Sequence, residues 1–163
     1  MGSEEIKTIF GNQVRVRVMG LLVKDDCILL LNHAGLNQED ELWLPPGGGV
    51  EFGESSEEAL IREFEEEVNI SVKVCDFLGV SEFISNGLHA IELFFVVEQI
   101  GGKLRLGSDP EINGNSILKE ARWMNIQGLK QLNKNGLHGL FQDIESLDDL
   151  FAKRGFFNIG NNP

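Results

Sequence analysis

The stretch GGGVEFGESSEEALIREFEEEVNI, residues 47–70, opens on three glycines and runs into a strongly acidic segment. Ser55 can cap a helix there, and Glu58, three residues on, completes a capping box, so the spacing predicts a helix from Ser55 to Val68. Leu60, Ile61, Phe64 and Val68 fall within an arc of about 100° at 3.6 residues per turn, which makes a face to bury. Glu63, Glu66 and Glu67 share a neighbouring arc, because positions three and four apart on a helix are neighbours. Like charges so placed destabilise a helix by about 0.2–0.5 kcal/mol per pair. Glu65, Glu66 and Glu67 also lie in the last turn, where the helix dipole disfavours anions. A divalent cation reverses both effects, and hard Mg²⁺ takes oxygen ligands while keeping waters for substrate phosphates. The alternative is a solvated acidic face. Two neighbours favour the metal: the glycine turn, which lets the backbone come close to a ligand, and the stiff Trp43–Pro46 entry to it.

The rest of the chain has to be compatible with that segment. Its 163 residues suit one domain with a sizeable core, and the 42% hydrophobic and 25% charged fractions are those of an ordinary globular protein. We expect a single domain over 1–163, with about 1–12 and 155–163 peripheral or flexible. Fourteen basic against twenty-six acidic side chains give a formal charge of −12. Such a surface repels phosphate backbones and anionic lipid, which argues against DNA, long RNA or membranes as partners. Eight of the carboxylates and a single base, Arg62, lie between Gly47 and Asn69. The two cysteines, Cys27 and Cys75, sit in apolar runs and read as buried free thiols. With no apolar leader at Met1–Glu5 and no run of spanning length, a cytoplasmic protein is expected.

Val14–Val23 and Cys27–Leu31, joined at Lys24-Asp25-Asp26, predict a hairpin. Asn32–Glu41 reads as a loop and Leu42–Leu44 as a short apolar piece before Pro45-Pro46. Val72–Phe83 and Leu88–Glu98 predict strands around an Asn86-Gly87 turn. Gly107–Ser116 reads as a loop and Ala121–Met124 as a last strand. From Leu137, the spacing of Leu140, Phe141, Ile144, Leu147 and Phe151 predicts a final helix ending at Lys153-Arg154-Gly155, with a frayed tail to Pro163. The pattern is an α/β fold with a mixed β-sheet between helices.

Gly48, Glu54, Arg62-Glu63-Phe64, Glu66-Glu67 and Ile70 together resemble the Nudix box, G-x5-E-x7-R-E-U-x-E-E-x-G-U, where U is apolar, and Leu44-Pro45-Pro46-Gly47 resembles the lead-in usual to that family. The box covers about a seventh of the chain and has many fixed positions. Its late glycine is Asn69 here. That position stops the helix in a left-handed conformation, for which Asn is next best after Gly. The resemblance to the Nudix (MutT-like) hydrolases implies an α/β/α sandwich and cleavage of a pyrophosphate bond in a nucleoside diphosphate derivative by water attack on phosphorus. It implies Mg²⁺, with Mn²⁺ able to substitute, held by Glu63, Glu66 and Glu67 with the Gly47 carbonyl as a further ligand. It implies that Arg62 orients the carboxylates and Glu54 supports the turn. Glu63 is one candidate for the base. Glu120 and Glu111 are nominated for the later-loop glutamate that some members use, Glu120 also as a metal ligand.

For the nucleotide, Arg15, Arg17, Phe83 and His89, with Phe94 beside them, are candidate base and sugar contacts, because they sit on or beside predicted strands. The chain has no tyrosine and no proline between Pro46 and Pro110. The dinucleoside polyphosphate hydrolases of the family use the former and many of its ADP-ribose hydrolases the latter, so the reading moves towards nucleoside triphosphates, nucleotide sugars or similar compounds. A nucleotide-sensing module that binds without cleaving is the alternative in another class, and an isomerase on the same fold is a third. A homodimer is compatible with the family and marked by nothing in the sequence.

Overall fold

Asp25 and Asp26, both left-handed (φ 50° and 58°), fold β1 (Val14–Lys24) back on β2 (Cys27–His33). Positive φ at both central residues gives the tight turn whose twist matches that of paired strands. In the computed structural model, which describes residues 8–34, 36, 40–85, 87–107, 117–157 and 159, only the turn end of this hairpin is paired, Val23 with Ile28 and Lys24 with Cys27. Beyond it the strands part. β3 (Leu42–Leu44) takes the edge of β2, with Leu31 opposite Leu44. The segment from Pro46 to Val50 lies along β1 instead: Gly20 N–H donates to Pro46 O and Val18 N–H to Gly48 O, each at 2.9 Å. The glycine-rich turn is thereby held against a buried strand, where Gly47 has φ 149° and a Cβ on it would lie 2.0 Å from Val18 O.

The remaining elements are α1 (Ser56–Val68), β4 (Ile70–Ser85), β5 (Leu88–Gly102), β6 (Leu118–Met124), α2 (Ile126–Gln131), two 3₁₀ turns (Lys134–Gly136 and Gly139–Phe141), α3 (Leu147–Ala152) and β7 (Gly155–Phe157). The seven described strands run in the order β3-β2-β1-β5-β4-β7, with β6 on β2. β1 and β5 pair in parallel from Val14 opposite His89 to Leu22 opposite Val97, and the other long pairings are antiparallel. Successive residues of β1 and β2 enter opposite cores. Val18, Leu22, Leu29 and Leu31 pack against Leu60, Phe64 and Val68 of α1. Met19, Leu21, Ile28 and Leu30 pack with Trp43, Phe94, Leu140 and Leu150 on the other side. A sheet covered on both faces explains why these strands read as near-continuous apolar runs. The expected mixed sheet between helices is therefore the fold. Among the described residues no helix is long and apolar enough to cross a membrane.

Several expectations are corrected. The final helix expected from Leu137 is replaced by the 3₁₀ turn Gly139–Phe141 and the six residues of α3. Gly139 and the left-handed Asp143 (φ 62°) break what apolar spacing alone would continue. The tail is not frayed at Gly155: β7 pairs in parallel with β4, and Phe157 is buried. Gly79 makes the room, since a Cβ there would lie 2.2 Å from Gly155 O and 2.5 Å from the Phe157 ring. Asn32 and His33 belong to β2, and β6 begins at Leu118. Both cysteines are free, but Cys75 is exposed and Cys27 half-buried, because register shifts in β4 turn Cys75 outward. Asn86 and residues 108–116, including Glu111, lie outside the described residues, as do 1–7 and 160–163.

Candidate active site

The capping box at the start of α1 forms as the sequence requires: Ser55 Oγ accepts from Glu58 N–H at 3.2 Å and Glu58 Oε2 accepts from Ser55 N–H at 2.9 Å. At the other end Asn69 stands in the left-handed conformation (φ 55°, ψ 38°). Its Nδ2 donates to Lys103 O at 3.0 Å, a bond glycine could not make. The departure from the box is thus accommodated, and the helix holds its register into the last turn.

Arg62 ties the site together. Its Nε and Nη2 grip Glu54 at 2.9 and 3.0 Å, Nη1 donates to Glu63 Oε1 at 2.9 Å and Glu66 Oε2 at 3.2 Å, and Nη2 reaches Gly49 O at 3.0 Å. A planar fork of donors can satisfy carboxylates on two sides at once. The Glu54 hydrogen bond is the main reason the guanidinium is pushed further towards the charged form. The same bond holds the Glu54 carboxyl below the usual carboxylate range.

Glu63 and Glu67 are 4% and 2% exposed, unusual for carboxylates. Glu67 Oε2 accepts from Gly47 N–H at 2.9 Å, and its Oε1 is 3.8 Å from His33 Nε2. A Cβ on Gly48 would sit 2.3 Å from Glu63 Oε1, so only glycine leaves room for that carboxylate. Both carboxylates line a cleft together with Gly47 and Gly48. It opens where β1 and β2 diverge. Arg15, Arg17, Phe83 and His89 line the same cleft. Phe10 joins them, its ring 3.9 Å from the Arg15 guanidinium carbon. His89 Nε2 lies 2.9 Å from Glu82 Oε1 at the rim. Phe94 is buried in the core instead.

Glu66 is turned towards Arg62 and one-third exposed. Glu120 is not brought into the cleft. It lies opposite Asn32 on β6, and both its oxygens are taken by Arg122, two residues along the same strand face, at 2.8 and 2.7 Å. Three groups the sequence reading passed over also matter here. His33, in a stretch whose sequence reads as loop, ends β2 beside Glu67. Glu92, 4% exposed, lies 3.7 Å from Arg17, and His138, 8% exposed, lies 3.1 Å from Glu92. A lone charge within the apolar run Ala90–Val97 was the available signal for Glu92.

Among the described residues no three acidic, histidine or cysteine groups converge as a ready-made metal set, and Arg62 currently occupies oxygens of Glu63 and Glu66. The donor set nonetheless fits a hard divalent cation: buried carboxylate oxygens on one helix face, cradled by a glycine turn that a side chain would fill.

The NUDIX domain model matches residues 11–142, and this chain belongs to that family. An ADP-ribose pyrophosphatase of Methanocaldococcus jannaschii is 35% identical over 119 residues, 72% of this chain. The matched stretch spans 65% of that relative's length, just under two thirds. A MutT NUDIX hydrolase of Burkholderia pseudomallei superposes with TM-score 0.61 at 28% identity, over 76% of this chain and 89% of its own. A UDP-X diphosphatase superposes with TM-score 0.66 at 21% identity, over 96% of this chain and 76% of its own, which bears on the fold alone.

Proposed function

We propose that this chain hydrolyses the phosphoric anhydride bond of a small nucleoside diphosphate derivative with the help of a divalent cation, Mg²⁺ or in its place Mn²⁺. The supporting observation is a buried carboxylate pair on α1, Glu63 and Glu67, at the base of a cleft whose walls carry Arg15, Arg17 and Phe83. The missing proline had pointed away from ADP-ribose. The archaeal relative brings ADP-ribose back to the head of the candidates, beside nucleotide sugars.

Glu63, Glu66 and Glu67 would hold the cation, which, when bound, neutralises phosphate charge and activates water for in-line attack on phosphorus. Arg62 fixes the carboxylates by its bonds to Glu54, Glu63 and Glu66, so the ligands need little rearrangement when charge develops. Glu63 is buried beside the glycine turn and is the candidate to accept the proton from water. The Phe10–Arg15 stack and Phe83 offer a flat, cationic wall for a base.

The test is release of phosphate or nucleoside monophosphate from a panel of ADP-ribose, nucleotide sugars, nucleoside triphosphates and dinucleotides, beside Glu67→Gln. That variant keeps the acceptor for Gly47 N–H and loses the charge. Turnover abolished by chelation, and reduced about 100-fold or more in Glu67→Gln, is expected. A nucleotide that binds tightly and is never cleaved would move the reading to a sensor.

A further inference from the structure

Glu92 carries a charge in the middle of an apolar strand. It is directly opposite Arg17 on β1 and Ser81 on β4. Its Oε2 accepts from Ser81 Oγ at 3.0 Å and from His138 Nε2 at 3.1 Å. The other ring nitrogen of His138, Nδ1, accepts from Leu140 N–H at 3.2 Å. His138 is thus held at both ring nitrogens, Nε2 at the carboxylate and Nδ1 at the backbone of its own turn. Both hydrogen bonds fall on one carboxylate oxygen. The other, Oε1, faces Arg17 Nη1 at 3.7 Å, close enough to hold a charge and too far for a hydrogen bond.

Burial opposes ionisation of Glu92, but His138, the Arg17 guanidinium and the Ser81 hydroxyl outweigh it and keep the carboxyl well below the usual range. Arg17 itself is left under-used. A guanidinium has five N–H donors. Among the described residues Nε is buried with no partner, and the one charge contact is the long one to Glu92. The side chain is one-fifth exposed, in the cleft that holds Glu63 and Glu67. An anion lying there meets carboxylates on the helix side and an arginine with donors to spare on the sheet side.

We propose that Arg17 seats a phosphate group of the ligand in this cleft, and that Glu92, clamped by Ser81 and His138, is the positioning residue that orients the guanidinium. This rests on the reading above that the cleft takes a nucleoside diphosphate. It adds which residue meets phosphate rather than base, and why a segment as far along the chain as His138 bears on binding. Glu92 touches no substrate. It acts through Arg17.

The experiment is calorimetric affinity for α,β-methylene-ADP, which cannot be hydrolysed, with Mg²⁺ present, for the wild type, Arg17→Met, Glu92→Gln and the double variant. Adenosine is the uncharged control. Arg17→Met is expected to weaken the diphosphate about 10- to 100-fold and Glu92→Gln about 5- to 10-fold, as befits a charge-assisted bond and its support. The double variant should be no weaker than Arg17→Met alone, and adenosine should bind all four alike. Equal loss from Glu92→Gln in both backgrounds, loss of adenosine in parallel, or no binding by the wild type would each overturn the proposal. Should Glu92→Gln fail to fold, Ser81→Ala loosens the same carboxylate without removing its charge, and a change under about twofold there overturns it as well. The two readings fail separately. Tight binding without turnover anywhere in the panel sinks the hydrolase and leaves the phosphate seat, whereas turnover undiminished in Arg17→Met does the reverse.

Discussion

Alanine at Gly20 would place a Cβ 2.3 Å from Phe64 Cε2, 2.8 Å from Cζ and 3.3 Å from Leu60 Cδ1. Carbon atoms reach their attractive minimum at about 3.5 Å, so the ring must retreat by about 1.2 Å or α1 must move with it. Phe64 is wholly buried, and its neighbours Leu60, Val68 and Val18 leave it no open side. Overpacking of this kind costs about 1–3 kcal/mol. In a chain of this size each kcal/mol lowers the melting temperature by about 2–4 °C, which gives a fall of about 2–12 °C. The displaced helix also carries Glu63, next to Gly48. A shift of about 1 Å there should reduce kcat/KM by about tenfold or more beyond the fraction unfolded. The assay is denaturant unfolding with the activity panel run well below the transition, for Gly20→Ala, Phe64→Leu and both together. Phe64→Leu destabilises by itself, but in its background Gly20→Ala should cost less by about 1–2 kcal/mol. A wild-type midpoint for Gly20→Ala, or the same cost in both backgrounds, would refute the idea that the helix is seated through this glycine.

Arg62→Lys keeps the charge but cannot grip Glu54 with two donors while reaching Glu63, Glu66 and Gly49 O, and kcat/KM should fall about 10- to 100-fold; retention of full activity would show that charge alone suffices. Asn69→Ala puts an alanine in the left-handed region and should cost about 1–2 kcal/mol in denaturant unfolding, whereas in Asn69→Gly the relief of strain is offset by the lost bond to Lys103 O, for a net change within about 0.5 kcal/mol. Neither should alter kcat, and a gain in kcat for Asn69→Gly would mean that the box glycine matters to chemistry. Glu54 and Glu92 both have folded-state pKa values below their unfolded ones. Their contribution to stability is therefore present above the unfolded carboxylate pKa and lost as pH falls through the folded one. The stability gap between the wild type and Glu92→Gln should narrow as pH falls from about 5 through the folded value of about 2 in urea titrations, and a constant gap would contradict an ionised Glu92.

The helix that carries the carboxylates was legible because its signals are local. Ser55 and Glu58 cap it within one turn, and Leu60, Ile61, Phe64 and Val68 share a helical face, whereas strand alternation would put Ile61 opposite Leu60. The strands that line the cleft were legible for the same reason, and Arg15, Arg17, Phe83 and His89 follow from their places on them. What failed depended on distant partners. Periods of 3 and 3.6 cannot be told apart over a segment as short as Leu137–Phe141, so 3₁₀ turns passed for a helix. β7 forms because Gly79, far upstream, leaves a pit for Phe157. Glu120 is a carboxylate at a plausible distance along the chain, yet Arg122 claims it. Glu92 and His138 have no meaning until β1 and β5 lie side by side.

That parallel pairing sets an order of events during synthesis. Residues 14–22 take 46–50 along one edge but must wait for 89–97 before the other is covered, and the whole of α1 is made in between. The helix can coil early on its own capping signals, but its buried face has only part of a sheet to rest on until β5 has left the ribosome. His138 emerges later still. A nascent chain stopped before β5 would expose β1 along the edge meant for it, and one stopped between β5 and His138 would leave Glu92 uncovered and Arg17 loosely held. Ligand binding is thus a property of the nearly finished chain, and premature termination should yield sticky, inactive fragments instead of weak enzymes.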